Sequence, residues 1–427
     1  IDTTAPAAAE TVAITAITTD TGSSASDFVT SDTSLTVSGT NAALSAGNKI
    51  QVSSDGGTTW ADATVTGTTW TYADPVNHAT SFTYQTRVVD VAGNVGNTAS
   101  QAVTIDTTAP AAAETVAITA ITTDSGSSAS DFITNDTSLT VSGTNAALSA
   151  GNKIQVSSDG GVTWADATVT GTTWTYTDPA NHATSFSYQA RVVDVAGNIG
   201  QTATQAVTID TTAPSAAETV TITAITTDTG TSASDFVTSD TSLTVSGTNA
   251  ALSPGNKIQV SSDGGTTWAD AAVAGATWSY VDPANHATSF TYNVRIVDVA
   301  GNVGNIANQA VTIDTTAPAA AETVAITAIT TDTGTSASDF VTSDTSLTVS
   351  GTNAALSAGH KIQVSSDGGV TWADATVTGT TWTYTDPANH ATSFSYQARV
   401  VDIAGNVGNT ATQAVTIDTT APTAAET

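Results

Sequence analysis

Apolar residues in this chain recur at every second position, in short runs set between clusters of Gly, Asn, Asp and Ser. That alternation gives each run one face for a core and one for water, which is the pattern of a half-buried β-strand. Leu35 and Val37 alternate with Thr36 and Ser38, and Ile50 and Val52 with Gln51 and Ser53. Trp70 and Tyr72 flank Thr71. Val12, Ile14 and Ile17 mark an earlier strand. Phe82, Tyr84 and Val88 share one face of a long strand running to Val89, and Val103 with Ile105 marks a last one. Turns are expected at 20–32, 41–48, 54–58, 74–78 and 92–97, where the breakers cluster. No stretch holds a 3.6-residue period. The one helix candidate, Ala7-Ala8-Ala9-Glu10 after Pro6, is too short to stand alone and leads into the first strand.

The whole set of strands then repeats. Ile-Asp-Thr-Thr-Ala-Pro begins at Ile1, Ile105, Ile209, Ile313 and Ile417, a period of 104 residues. A period of about 100 residues is too long for a solenoid unit and right for an autonomous domain. The expected domains are 1–104, 105–208, 209–312 and 313–416, with 417–427 starting a fifth. About seven short strands per domain read as an immunoglobulin-like β-sandwich. The fold class is therefore all-β, four tandem sandwiches in a linear rod. Trp60, Trp70, Phe28, Phe82, Tyr72 and Tyr84 supply the expected core bulk. Both ends cut through the repeating pattern, so a longer parent array is expected.

Charge changes the picture from a count of domains to a chemical problem. The chain carries a net charge of −30. The first repeat sets Asp2, Glu10, Asp20, Asp27, Asp32, Asp55, Asp62, Asp74 and Asp90 against only Lys49 and Arg87. Such a chain repels nucleic acid, and its self-repulsion destabilises compact domains unless a cation neutralises it. There is no cysteine, so neither a disulfide nor a thiolate zinc site can staple a domain. No run approaches the ~20 apolar residues of a membrane span. Ca²⁺ is the expected cofactor, several ions per repeat, within loops and at the junctions between repeats.

The acidic loop 20–32 is the first candidate site. Asp20, Asp27 and Asp32, with a Gly and several carbonyls between them, suit an irregular Ca²⁺ loop. Their counterparts are Asp124, Asp131 and Asp136, then Asp228, Asp235 and Asp240, then Asp332, Asp339 and Asp344. The competing reading is a solvated loop capped by Asx-turns. The second site joins the linker aspartate to the loop before the last strand: Asp2 with Asp90, Asp106 with Asp194, Asp210 with Asp298, Asp314 with Asp402, and Asp418 in the stub. In a sandwich of this topology, loop 20–32 and turn 74–78 lie at one end and loop 90–94 at the other. Each junction would then crowd Asp20, Asp27, Asp32 and Asp74 against Asp106, Glu114 and Asp194, with no Lys or Arg in those loops. The expected partners are the neighbouring identical repeats of the same chain.

Other motifs carry less. Ser53-Ser54-Asp55-Gly56-Gly57-Thr58-Thr59-Trp60 matches an Asp-box, which is a hairpin turn rather than a catalytic signature. His78 and the extra His360 are lone histidines without a second ligand at metal spacing. Arg87 is expected to pair with an acid or to snorkel. No nucleophile elbow or arginine cluster is present, so no enzyme is expected. A rival reading makes each domain a glycan- or surface-binding module, for which Trp60 or Trp70 would have to form an exposed platform.

The IDTTAP linkers, the Val89-Asp90-Val91-Ala92-Gly93-Asn94 loop and the loop from Thr19 to Phe28 together resemble the tandem bacterial Ig-like extender domains of giant RTX (repeats-in-toxin) adhesins. The 104-residue period is similar to that of Ca²⁺-dependent ice-binding adhesins among them. The resemblance covers the whole chain. It implies Ca²⁺-rigidified domains on the bacterial cell surface, secreted by a type I route, that project a distal ligand-binding domain and assist adhesion and biofilm formation. It assigns the metal role to Asp2, Asp20, Asp27, Asp32, Asp90 and their counterparts. The glycine-rich nonapeptides of RTX proteins are absent from this segment.

Overall fold

The structure is a computed structural model and describes residues 1–421. It falls into two compact units, one of Ile1–Thr211 with Val299–Gly301, the other of Thr212–Asp298 with the residues from Asn302 onward. The first unit holds repeats 1 and 2 with a few residues of repeat 3, and the second holds the rest of repeat 3 with repeat 4; each is described by itself.

Every repeat is built alike, and repeat 1 defines the labels: β1 (Val12–Thr18), β2 (Val29–Thr30), β3 (Ser34–Asn41), β4 (Lys49–Ser53), β5 (Ala61–Asp62), β6 (Thr64–Thr66), β7 (Thr69–Asn77), β8 (Phe82–Val89) and β9 (Val95–Ile105). One sheet has the order β1-β3-β7-β6 and the other β2-β9-β8-β4-β5. All pairings are antiparallel except β2 with β9. These are the two sheets of an immunoglobulin-like sandwich.

Burial follows the alternation. Leu35, Val37, Ile50, Val52, Trp70, Tyr84 and Val88 point inward between the sheets, joined by Val12, Ile17, Phe28, Val103 and Ile105. Each such side chain contributes about 1.5–3 kcal/mol on burial. Trp70 is the largest, and Gly39 makes its place: a Cβ there would sit 2.6 Å from the indole and 1.9 Å from Ala13 O. The indole N–H donates to that same carbonyl at 3.2 Å. Ile105, where the sequence period restarts, is the last residue of β9 and belongs to this core.

Residues 7–10 form a turn, closed by Glu10 N–H to Ala7 O, and lead into β1. Three expectations are corrected. Asp74 to Asn77 continue β7 instead of forming a turn. The turn expected at 92–97 is shorter, because β9 already begins at Val95. Trp60 lies outside the core, under the guanidinium of Arg87 at 4.0 Å from its ring centroid. Of the two readings of Arg87, the acidic partner is not found among the described residues: the guanidinium donates to the Gln51 amide oxygen at 2.8 and 3.1 Å.

Two expected junction acids are sealed within their own repeats. Asp74 accepts from Tyr84 OH at 2.9 Å and bonds His78 Nε2 at 2.9 Å, while His78 stacks on Phe82. Burial opposes charge on Asp74, but His78, the Val76 N–H and Tyr84 outweigh it and hold the carboxyl below its usual range. Burial pushes the Tyr84 phenol upward. Glu114 accepts from Ser149 Oγ and Asn152 Nδ2 at 2.6 and 2.8 Å. Repeat 4 replaces that asparagine by His360, whose Nδ1 lies 2.6 Å from Glu322.

Candidate functional site: the acidic loop and its neighbour

Loop 20–32 leaves β1 through a backbone conformation that ordinary residues avoid. Thr19 and Phe28 both have φ 60°, and the same two positions are left-handed in every repeat. For a β-branched residue this conformation costs on the order of 1–2 kcal/mol, so the loop must be held by other bonds. The buried Thr30 hydroxyl donates to Thr19 O at 2.8 Å. Asp20 Oδ2 accepts the Phe28 N–H at 3.0 Å. Thr21 Oγ1 accepts the Ser31 N–H at 2.8 Å. Asp27 and Asp32 cap the N–H groups of Val29 and Ser34 at 3.0 and 2.9 Å.

One atom in this loop is left over. Asp20 Oδ1 is buried and has no hydrogen-bond donor, and the same holds for Asp124, Asp228 and Asp332. Burial pushes the carboxyls of Asp20, Asp124 and Asp228 above their usual range, and the adjacent Asp27, Asp131 and Asp235 add to the shift. A buried, unsatisfied carboxylate beside a second carboxylate is costly as an anion. Ca²⁺, which takes only oxygen ligands, would relieve it. The Asp20–Asp27 pair and its counterparts therefore fit a hard cation.

The other expected ligands stand apart from that pair. Asp2 caps the Thr4 N–H at 2.9 Å. Asp90 accepts both the N–H and the Nδ2 of Asn94 at 2.8 Å, and Asn94 also reaches Asp2 O at 3.3 Å. The second repeat keeps the arrangement: Asn198 bridges Asp194 and Asp106 O. Asp106 and Asp418 cap Thr108 and Thr420 as Asp2 does Thr4, and Asp314 caps Thr316. Asp298 and Asp402 hold Asn302 and Asn406 as Asp90 holds Asn94. Asp136, Asp240 and Asp344 repeat the Asp32 cap, and Asp339 repeats that of Asp27. The linker site is thus an aspartate–asparagine clasp. Among the described residues, no three His, Asp or Glu side chains converge as a ready metal cluster.

The same loop touches the following repeat within each unit. In the first unit Thr21 Oγ1 donates to Ala196 O at 2.5 Å and Ser23 N–H to Val195 O at 3.0 Å. Gly22 makes the approach possible: its φ is 96°, and a Cβ there would lie 2.0 Å from Val195 O. Gly197 faces it, with room for a Cβ only 2.9 Å from Gly22 N. Beside this contact is a cavity of about 200 Å³, lined partly by Lys153, Arg191, Ser31 and Asp194. In the second unit Thr229, Gly230 and Thr231 meet Ile403, Ala404 and Gly405 in the same way, beside Arg399. Basic side chains therefore do stand at these joints, although none belongs to the loops themselves, as expected. They reach in from strands, where a search of loop sequences alone does not look.

Sequence reasoning missed Thr21, Gly22 and Gly197. The available signal was a glycine held in the same acidic loop of each copy (Gly22, Gly126, Gly230, Gly334) while its neighbours varied between Ser and Thr. Asp55, by contrast, is the hub of its turn as expected. It accepts from Thr59 Oγ1, Thr59 N–H, Ser53 Oγ and Thr58 N–H, and the Thr59 hydroxyl is the chief cause of a pKa lowered to about 2. Neither tryptophan forms an open platform: Trp70 is 1% exposed, and Arg87 covers one face of Trp60.

Two sheets per repeat, this register and these loops define immunoglobulin-like domains in tandem. The chain belongs to the bacterial Ig-like domain family, which matches residues 7–107, 111–211, 215–315 and 319–419. No curated protein matches it. Among solved structures it is similar to a Ca²⁺-stabilised adhesin that helps an Antarctic bacterium reach out and bind ice, at 25% identity over 96% of this chain and 99% of the other, with a TM-score of 0.27. It is also similar to three FN domains of chicken CNTN1, at 16% identity over 73% and 100% of the two chains, TM-score 0.27. The BSP domain of a biofilm associated protein aligns at 10% identity over 96% and 97%, TM-score 0.17. At such scores the likenesses are loose, and function has to be read from the chain's own residues. No helix among the described residues is long and apolar enough to cross a membrane.

Proposed function

We propose that this chain is a Ca²⁺-rigidified extender of a bacterial cell-surface adhesin, a spacer that holds a distal ligand-binding domain away from the cell. The observation that carries it is the orphaned Asp oxygen. It recurs in all four repeats in a loop under backbone strain; in repeats 1 to 3 a second carboxylate stands beside it, and in repeats 1 and 3 the loop lies against the next repeat. Asp20 and Asp27, and their counterparts, would hold the ion with help from loop carbonyls. The bound charge would neutralise the pair and stiffen the loop. Ca²⁺ binding only the folded form would stabilise each repeat by mass action. The linker clasps of Asp2 and Asp90 would set the entry direction of the chain.

Calorimetric titration of the full chain with Ca²⁺, together with melting in Ca²⁺ and in EDTA, tests the metal. At least one ion per repeat is expected, with a lower Tm in EDTA. Changing Asp20, Asp124, Asp228 and Asp332 together to Asn should abolish both effects. No heat of binding and an unchanged Tm would end the Ca²⁺ reading. Small-angle scattering tests the spacer: a compact particle in Ca²⁺ would end that one.

A further inference from the structure

The joint between consecutive repeats has a chemistry of its own. Its donors are a threonine hydroxyl and one backbone N–H, and its acceptors are two backbone carbonyls. None of these groups is a carboxylate, and none needs its charge neutralised before it can pair. The basic residues beside it, Lys153 and Arg191 in one unit and Arg399 in the other, offset the local acidity.

The loop is also shaped before it meets a neighbour. From Ile222 to Ser253 repeat 3 has the same sequence as repeat 4 from Ile326 to Ser357. The first copy is engaged: a Cβ on Gly230 would lie 1.9 Å from Ile403 O. The second is open, and a Cβ on Gly334 would meet nothing within 4 Å among the described residues. Yet the internal bonds are the same. Thr229 Oγ1 contacts Thr238 and Ser239 hydroxyls at 3.0 and 3.1 Å, and Thr333 Oγ1 contacts those of Thr342 and Ser343 at 3.2 Å. The left-handed residues are kept too: Thr227 and Thr331 have φ 57° and 62°. A loop that holds its shape when open loses little entropy on docking. The receiving side shows the same contrast. Ala196 is buried, 1% exposed, in the engaged 194–198 loop, whereas its counterpart Ala92 is exposed in the 90–94 loop of repeat 1.

We propose that loop 20–32 is a preorganised, glycine-gated latch whose partner is the 90–94 loop of the next repeat, closed by neutral hydrogen bonds and not by a bridging metal. Glycine is required because only a residue without Cβ lets the two backbones meet. Ca²⁺ at Asp20 and Asp27 would stiffen the latch from within without forming the bridge. The latch stands whether or not the chain takes up Ca²⁺.

Hydrogen exchange of the full chain in EDTA, read by mass spectrometry, tests it. Thr335→Ser, which places in repeat 4 the serine that repeats 1 and 2 carry, gives the two otherwise identical loop peptides different masses. The Thr231 N–H donates to Ile403 O, so the repeat 3 peptide should hold one more amide about tenfold more slowly than the repeat 4 peptide, the worth of one net hydrogen bond. Gly230→Ala should abolish the difference, while Gly334→Ala, which bears the same positive-φ strain without the collision, should speed repeat 4 exchange much less than Gly230→Ala speeds that of repeat 3. Ala404→Leu enlarges a buried residue on the receiving loop and should open the joint without touching the donating one. Slow exchange of the strand Ser242–Asn249 verifies that repeat 3 stays folded. Equal exchange of the two peptides in EDTA, with a difference only after Ca²⁺ is added, would overturn the neutral latch in favour of a metal bridge. Undiminished protection in Gly230→Ala and Ala404→Leu would overturn the glycine gate.

Discussion

Loops 228–240 and 332–344 have one sequence and two situations. Both keep the strained threonine, the internal hydroxyl network and an orphaned carboxylate oxygen. Only the first has a hydroxyl and an amide donating to the next repeat, and only there would a glycine Cβ collide with backbone. Identical residues thus separate what belongs to the loop from what belongs to the joint. Strain and buried charge are properties of the loop. The steric demand for glycine is a property of the joint.

The comparison can be broken in four places. Trp278→Ala and Trp382→Ala should each cost about 3–5 kcal/mol, the first the more, because the Trp278 indole N–H donates to Thr221 O at 3.1 Å while that of Trp382 is unsatisfied. Urea unfolding of the full chain checks this, and a larger loss at Trp382 would overturn it. Gly230→Ala and Gly334→Ala share the penalty of a positive φ, but only the first overpacks a neighbour. It should cost about 1–3 kcal/mol more, read as loss of protection at the joint in hydrogen exchange.

Charge should act alike at both loops. The raised carboxyl of Asp228 is favoured in its protonated form by the fold. Without metal, that contribution is present below the unfolded value and lost as pH rises through the folded one. At pH 7 in EDTA, Asp228→Asn should therefore stabilise repeat 3 by roughly 1 kcal/mol, the scale of an unsatisfied buried group. In Ca²⁺ it should destabilise instead, since the ligand is gone. In Ca²⁺, Asp332→Asn should likewise destabilise repeat 4, because its Oδ1 is orphaned too. Melting curves in the two buffers decide; the same sign in both would refute the cation site. The smallest effect is expected from His360→Asn, which restores in repeat 4 the amide that Asn256 supplies to Glu218. One side-chain hydrogen bond replaces another, so the melting shift at pH 7 should correspond to less than ~1 kcal/mol.

Much of the sandwich was legible along the chain because strand periodicity is local. Leu35 and Val37, Ile50 and Val52, Trp70, and Tyr84 with Val88 are all buried as their alternation implied. The errors share a cause. Asp74 to Asn77 carry turn residues, yet β3 pairs with Asn77 beyond a register shift and Tyr84 and His78 satisfy Asp74, so tertiary partners override local preference. Trp60 looks like core by type, but the turn centred on Asp55 sets it on the outer face under Arg87. At the candidate site, the acidity of residues 20–32 was plain, whereas nothing local marks which of Asp20, Asp27 and Asp32 keeps an unpaired oxygen.

What the sequence determined by itself is the sheet content, the period and the charge, since each is a sum or a repeat over neighbouring residues. Tertiary structure decided how Asp20 and Glu10 are spent and which Asp20 oxygen is left, because their donors arrive from eight and thirty-eight residues away. It also decided that Gly22 is a gate. That role needs Val195 and Gly197, which are distant along the chain, to lie within van der Waals reach. Loop 332–344, with the same letters and an open glycine, shows that no local reading of the sequence contains it.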